Sequence, residues 1–253
     1  MRVCFCVSSF LFPTTGEAAA TGASNGQGVA LLLHGTSGTG KTLAAEALGY
    51  DLGCPLKVVN SSALISKWVG ESAKNIEAVF DDAAAAGALL VFDEAEALFG
   101  SRASSDGGGS GGRHDSANVG VLLHRVATYP GVVVAITNLR GNIDAAFDRR
   151  FTHIIEFPRP DAALREQLWR KLLPASCPRS SDVSGAILAQ RYELTGGQIR
   201  AAVLRAATRA VLRPVGKGDA RKVTQADLEQ ACEEETQKGG AGSAAASASM
   251  MYT

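Results

Sequence analysis

Aliphatic residues run unbroken from Val29 to Leu33 and stop at His34-Gly35, the pattern of a strand covered on both faces. From Lys41 to Leu52 the spacing turns helical, with Leu43, Ala44, Ala47 and Leu48 on one side. Lys57–Val59 reads as a second, short strand, the alanine-rich stretch 73–86 as a helix, and Ala88–Phe92 as a third strand. Residues 101–115 hold Ser, Gly and Asp without apolar periodicity and read as a long mobile loop before a helix over 117–129. Val132–Ile136 and Ile154–Phe157 supply a fourth and a fifth strand. Beyond Pro160 the strands cease and helices follow at 161–173, 183–191, 195–212 and 224–234. The Gly/Ala/Ser tail from Gln237 reads as disordered.

Strand and helix in alternation, then helices alone, predict an α/β fold: a parallel sheet flanked by helices, followed by a small all-α domain. The expected divisions are a linker or targeting segment at 1–27, the α/β domain at 28–159, the helical domain at 160–236 and the tail at 237–253. With 46% apolar and 20% charged residues the chain has ample core material, which excludes disorder throughout. Basic and acidic residues each number 25, so no net charge draws the chain to nucleic acid or an anionic membrane, and no nucleic-acid partner is expected. Cys4, Cys6, Cys54, Cys177 and Cys232 are scattered without C-x-x-C spacing, which points to neither a disulfide framework nor a zinc site. Behind Arg2, the apolar run Val3–Phe12 is too short to span a bilayer. It reads as a leader, an edge strand or a mispredicted first exon. The cytoplasm is the favoured address, with an organelle interior the alternative that a leader would open.

The chemistry begins where the first strand ends. Gly35-Thr36-Ser37-Gly38-Thr39-Gly40-Lys41-Thr42 satisfies G-x-x-x-x-G-K-[ST] between an apolar strand and a helix. Glycines let the backbone turn its N–H groups inward as a cradle for phosphate oxygens, and the helix adds the positive end of its dipole. Lys41 is expected to reach the β- and γ-phosphates of ATP, and the Thr42 hydroxyl to ligate Mg²⁺. The strand Leu89–Phe92 ends in Asp93-Glu94, and adjacent carboxylates at that edge are costly unless they meet a cation. Asp93 is read as holding Mg²⁺ through water and Glu94 as polarising the attacking water. A paired base at this point argues against most kinases and GTPases.

Five blocks in this order and spacing resemble the AAA branch of the AAA+ ATPases over about Gly28–Cys232: residues 35–42, Lys67–Ser72, Val91–Ala95, Ala135–Asn138 and Asp148–Phe151. Residues 141–147 and 194–200 look most like a prokaryotic-type subfamily. The resemblance implies a P-loop sheet domain with a helical lid, hydrolysis of ATP with Mg²⁺, and assembly into a homo-oligomer, a hexamer by family habit. It implies that Asn138 helps position the attacking water (sensor 1) and that Arg149 or Arg150 is a finger reaching a neighbouring subunit's nucleotide. It also implies that Arg200 is the lid's sensor 2 arginine. Lys67-Trp68-Val69-Gly70 resembles the first pore loop, where Trp68 would grip an extended protein client by apolar contact and stacking. Residues 101–115 fall where a second pore loop would lie.

Only 34 residues precede Gly35, and residues 1–27 lack the length and apolar pattern of the upstream helix and loop that family members use for adenine. Adenine recognition is thus the part expected to be weak. The leading expectation is an oligomeric motor that remodels or unfolds protein. The alternatives are a DNA-acting AAA+ loader and a truncated, non-catalytic nucleotide-binding fragment.

Overall fold

A computed structural model of the chain describes residues 28–61, 72–96, 111–138, 149–214 and 221–249. The chain divides into two compact units, one from the residues up to Thr36 with Gly40–Phe157, the other from Ser37–Thr39 with the residues from Pro158 onward. The first unit is built from β1 (Val29–His34), α1 (Lys41–Leu52), β2 (Leu56–Asn60), α2 (Ser72–Ala85), β3 (Leu89–Asp93), α3 (Gly111–Thr128), β4 (Val132–Thr137) and β5 (His153–Glu156). The strands form one parallel sheet in the order β2-β3-β4-β1-β5.

Alternation along each strand sorts the apolar residues into two layers. Leu32, Leu90, Phe92, Val133 and Ala135 pack with Ile76 and Phe80 of α2 and Leu122 and Leu123 of α3. The residues between them, Leu31, Leu33, Leu89, Val91, Val134 and Ile136, pack with Ala45 and Leu48 of α1. The inner strands β1, β3 and β4 are therefore apolar at nearly every position, whereas edge strand β2 is at most half-buried, with Val58 and Asn60 exposed. Phe80 locks one layer, its ring 5.6 Å from Phe92 and 5.7 Å from Tyr129. The Tyr129 hydroxyl donates to Ala88 O at 2.5 Å, so its polar end is not left unsatisfied in the core.

Because the sheet is parallel, its strands deliver their carboxyl ends to one edge. The register pairs His34 with Thr137, Asn60 with Asp93, and Phe92 with Ala135. The residues immediately after β1, β3 and β4 therefore emerge side by side.

The second unit consists of α4 (Ala162–Leu172), α5 (Gly185–Arg191), α6 (Gly196–Leu212) and α7 (Gln225–Ser249). Its helices start where side chains cap them. Asp161 accepts from Leu164 N at 2.7 Å, and Thr195 with Gln198 forms a reciprocal capping box at α6. Trp169, Leu188, Ile199, Leu228 and Cys232 are buried at its centre, with Ala202, Ala206 and Ala231 keeping α6 and α7 close. Along the rim, Arg205 pairs with Glu234 and Glu235, Arg209 with Glu234, and Arg213 with Asp227.

Two elements differ from the expectation. The helix α3 begins at Gly111 rather than 117, so the end of the segment read as a loop is helical. Once the apolar turns around Leu122 and Val126 nucleate the helix, extending it through polar residues costs little. Similarly α7 continues to Ser249 across the stretch read as disordered: Ala244–Ala246 favour helix, and a helix already nucleated by its packed first turns propagates through Gly239, Gly240 and Gly242 despite their low propensity. The N-terminal segment 1–27, the loop Lys67–Gly70, residues 101–110 and residues 139–148 lie outside the described residues. Among the described residues no helix is long and apolar enough to cross a membrane.

Candidate active site

At the exit of β1 the backbone turns sharply. Gly35 has φ 137°, and a Cβ placed there would stand 2.3 Å from Phe157 O. Phe157 N donates to His34 O at 2.8 Å, so the end of β5 presses on the start of the loop and leaves room for no side chain. Gly40, at φ 101°, is the N-cap of α1 and brings no side-chain cap, so the first N–H groups of that helix stay available for an anion. A Cβ on Gly40 would meet nothing within 4 Å.

Lys41 is buried, 5% exposed, and its ammonium donates three hydrogen bonds: to Gly35 O at 2.7 Å, Thr36 O at 3.0 Å and Asn138 Oδ1 at 2.9 Å. Burial pushes the ammonium below its usual pKa, while Glu96 and then Asp93 pull it back upward. Thr42 follows, half-buried on the first turn of α1. At the loop tip, Thr36, Ser37 and Gly38 are exposed and Thr39 is half-buried. Within the second unit, Gly197 N donates to Gly38 O at 2.9 Å.

The carboxylates sit on the next strand ends. Asp93 closes β3, and its Oδ1 accepts from Glu94 N at 2.9 Å. Glu94 is the one non-glycine residue with positive φ (53°) among the described residues. A side chain in that conformation is held there by its surroundings, here by Ala95 N donating to Ile136 O at 2.8 Å directly after it. The turn lifts the Glu94 side chain into an exposed position, where Asn60 Nδ2 at the end of β2 donates to its Oε2 at 3.3 Å. Asn138, the residue after β4, spans from Lys41 to Glu96, its Nδ2 donating to Glu96 Oε1 at 3.3 Å.

One carboxyl edge thus brings together Lys41, Asp93, Glu94 and Asn138. Sequence reasoning missed two neighbours, Asn60 and Glu96. The signals were present: a polar residue closing the strand Leu56–Val59, and a third carboxylate in Asp93-Glu94-Ala95-Glu96. Arg149 and Arg150 do not join this cluster. Both are exposed just before Thr152, whose N–H donates to Ala30 O at 2.7 Å near the amino end of β1, across the sheet from the loop. Arg200 is exposed on α6 in the second unit. The donor chemistry suits a hard divalent cation held with phosphate: the Thr42 hydroxyl and the Asp93 carboxylate could offer it oxygen ligands, beside an uncapped helix start.

The profile of the family described as "ATPase family associated with various cellular activities (AAA)" matches residues 31–159. The chain is 38% identical over 134 residues to an uncharacterized AAA family ATPase, y4kL, of Sinorhizobium fredii, covering 53% of this chain and 40% of that protein. It is 33% identical over 168 residues to the ATP-dependent zinc metalloprotease FtsH of Streptococcus pneumoniae, covering 64% of this chain and 25% of FtsH. With the vesicular-fusion protein SEC18 of Saccharomyces cerevisiae it shares 33% identity over 225 residues, 78% of this chain and 28% of that protein. The chain thus spans less than half the length of each of these relatives.

Proposed function

The chain belongs to the AAA family of ATPases, and on that premise we propose that it works as a homo-oligomer, a hexamer in the family's usual form, that spends ATP to remodel or unfold a protein client. The observation that carries the reading is the convergence of Lys41, Asp93, Glu94 and Asn138 at the carboxyl edge of one parallel sheet, with Lys41 already bonded to Asn138.

In this reading the loop backbone and the first turn of α1 receive the phosphates, and Lys41 turns toward the β- and γ-oxygens. Thr42 and Asp93 would hold Mg²⁺, which neutralises charge on the β- and γ-phosphates. Glu94 accepts a proton from the attacking water, and Asn138 orients that water. Asn60 holds Glu94 by its Oε2 and so steadies the carboxylate that takes the proton. Arg149 and Arg150, exposed away from their own chain's phosphate loop, serve a neighbouring copy's nucleotide. Arg200 contributes from the lid. Trp68, with Lys67, Val69 and Gly70, meets the client.

Glu94→Gln tests the chemistry. Nucleotide affinity is expected to stay near wild type while steady-state hydrolysis falls about 10²–10⁴-fold. Unchanged hydrolysis would sink the mechanism. Two further readouts test the motor: ATPase activity per chain is expected to rise with protein concentration, and Trp68→Ala to keep hydrolysis and lose unfolding of a tagged model substrate. Full unfolding by that variant would remove the client argument.

A further inference from the structure

The Lys41 ammonium has three N–H donors, and all three are engaged, two by carbonyls of its own loop and the third by Asn138 Oδ1. To bind a γ-phosphate oxygen, Lys41 must give one of these up. The two carbonyls belong to the loop it braces, whereas Asn138 is an exposed side chain from a different strand end. The Asn138 bond is therefore the one exchanged.

What happens to the freed amide depends on its other end. Asn138 Nδ2 donates to Glu96 Oε1 at 3.3 Å. An amide placed between an ammonium and a carboxylate has one workable orientation, because the flipped form sets NH₂ against NH₃⁺ and C=O against COO⁻. When ATP takes Lys41 away, Glu96 still distinguishes the two orientations. Glu96 is well placed to do this: it is half-buried, and its second oxygen, Oε2, is buried without a hydrogen-bond partner. An unsatisfied carboxylate oxygen is costly, so its retention beside the phosphate site calls for a reason beyond packing.

We propose that Glu96 is a positioning residue for hydrolysis, holding the Asn138 amide so that its carbonyl oxygen stays presented to the reaction site once Lys41 has moved to the γ-phosphate. The inference rests on the reading of Asn138 as the residue that orients the attacking water. In that role Oδ1 must accept a hydrogen from water, and Glu96 keeps the NH₂ end turned away. The contact Glu96 makes here is with Asn138, not with the phosphate loop, so removing it is expected to act on turnover more than on affinity.

The test uses the full chain with Glu96→Met, which removes the acceptor at similar volume, Glu96→Gln, which keeps an acceptor for Asn138 Nδ2 without the charge, Asn138→Ala, and the Glu96→Met/Asn138→Ala double variant. Glu96→Met is expected to lower kcat for ATP about 10–100-fold with KM and fluorescent-nucleotide affinity within about threefold of wild type. Glu96→Gln is expected to recover most of that kcat, and the double variant to be no slower than Asn138→Ala alone. Wild-type kcat in Glu96→Met, equal impairment of the Met and Gln variants, or a further drop in the double variant would each overturn the proposal. A wild-type kcat in Asn138→Ala would instead defeat the underlying reading of Asn138. Loss of kcat in Asn138→Ala with none in Glu96→Met defeats the present inference alone.

Discussion

Replacing Gly35 by alanine separates two physical effects that usually travel together. The new Cβ would lie 2.3 Å from Phe157 O and 3.0 Å from Phe157 C, and the backbone sits at φ 137°. Holding a non-glycine residue in such a region costs about 1–3 kcal/mol, and forcing an atom into a filled space costs about 1–3 kcal/mol more. Gly40→Ala is the matched control, since it shares the positive φ (101°) but would meet nothing within 4 Å. Gly40→Ala should thus carry only the conformational part. The expected gap is about 2 kcal/mol, or roughly 4–8 °C in Tm for a domain of this size. Relief of the clash also moves the loop away from the end of β5, and with it the carbonyl of Gly35 that braces Lys41. Nucleotide affinity in Gly35→Ala is therefore expected to fall at least about tenfold. Thermal unfolding of the nucleotide-free variants, followed by circular dichroism, and titration with a fluorescent ATP analogue would measure both. Equal Tm values for the two alanine variants would refute the steric argument, and wild-type affinity in Gly35→Ala would refute its link to Lys41.

The carboxylate of Asp227 is expected to make the helical unit sensitive to acid. Burial raises its pKa, but hydrogen bonds from Thr224 N (2.9 Å) and Thr224 Oγ1 (2.8 Å), with Arg213, outweigh that and hold it below the usual value. A depressed carboxylate stabilises the fold above its unfolded pKa and loses that contribution as pH falls through its folded value. Asp227→Asn is accordingly expected to cost about 1–2 kcal/mol in urea denaturation at pH 7, shrinking toward zero as the pH falls through the lowered folded value; a gap that stayed constant with pH would count against this. The Cys232 thiol, fully buried, is pushed up to about 12 mainly by burial, with Glu229 and Glu233 adding to it. Maleimide at pH 8 is expected to label the half-buried Cys54 and Cys177 in the folded protein and to reach Cys232 only after unfolding, as read by peptide mass mapping. Labelling of Cys232 at the rate of Cys177 would contradict that burial.

Much of the architecture could be read from local chemistry. Unbroken aliphatic runs marked β1, β3 and β4 because inner parallel strands are covered on both faces. The glycine spacing and Lys41-Thr42 marked the phosphate loop because the cradle is made by a contiguous stretch of backbone. Helix ends were harder. The start of α3 and the length of α7 depend on propagation from a distant nucleus and on alanine propensity, neither of which shows as an apolar stripe. What no linear pattern could supply was which strand ends meet. Lys41 and Asn138 are 97 residues apart, Asn138 and Glu96 are 42 apart, and Asn60 and Glu94 are 34 apart. They become neighbours because the order β2-β3-β4-β1-β5 and its register bring those strand ends to one edge. The residue types of the site were thus written in local sequence, whereas Asn60 holding Glu94, and Glu96 holding Asn138, were decided by strand pairing. Hydrogen bonds between side chains on different strands carry no spacing rule that a reader of the chain could follow.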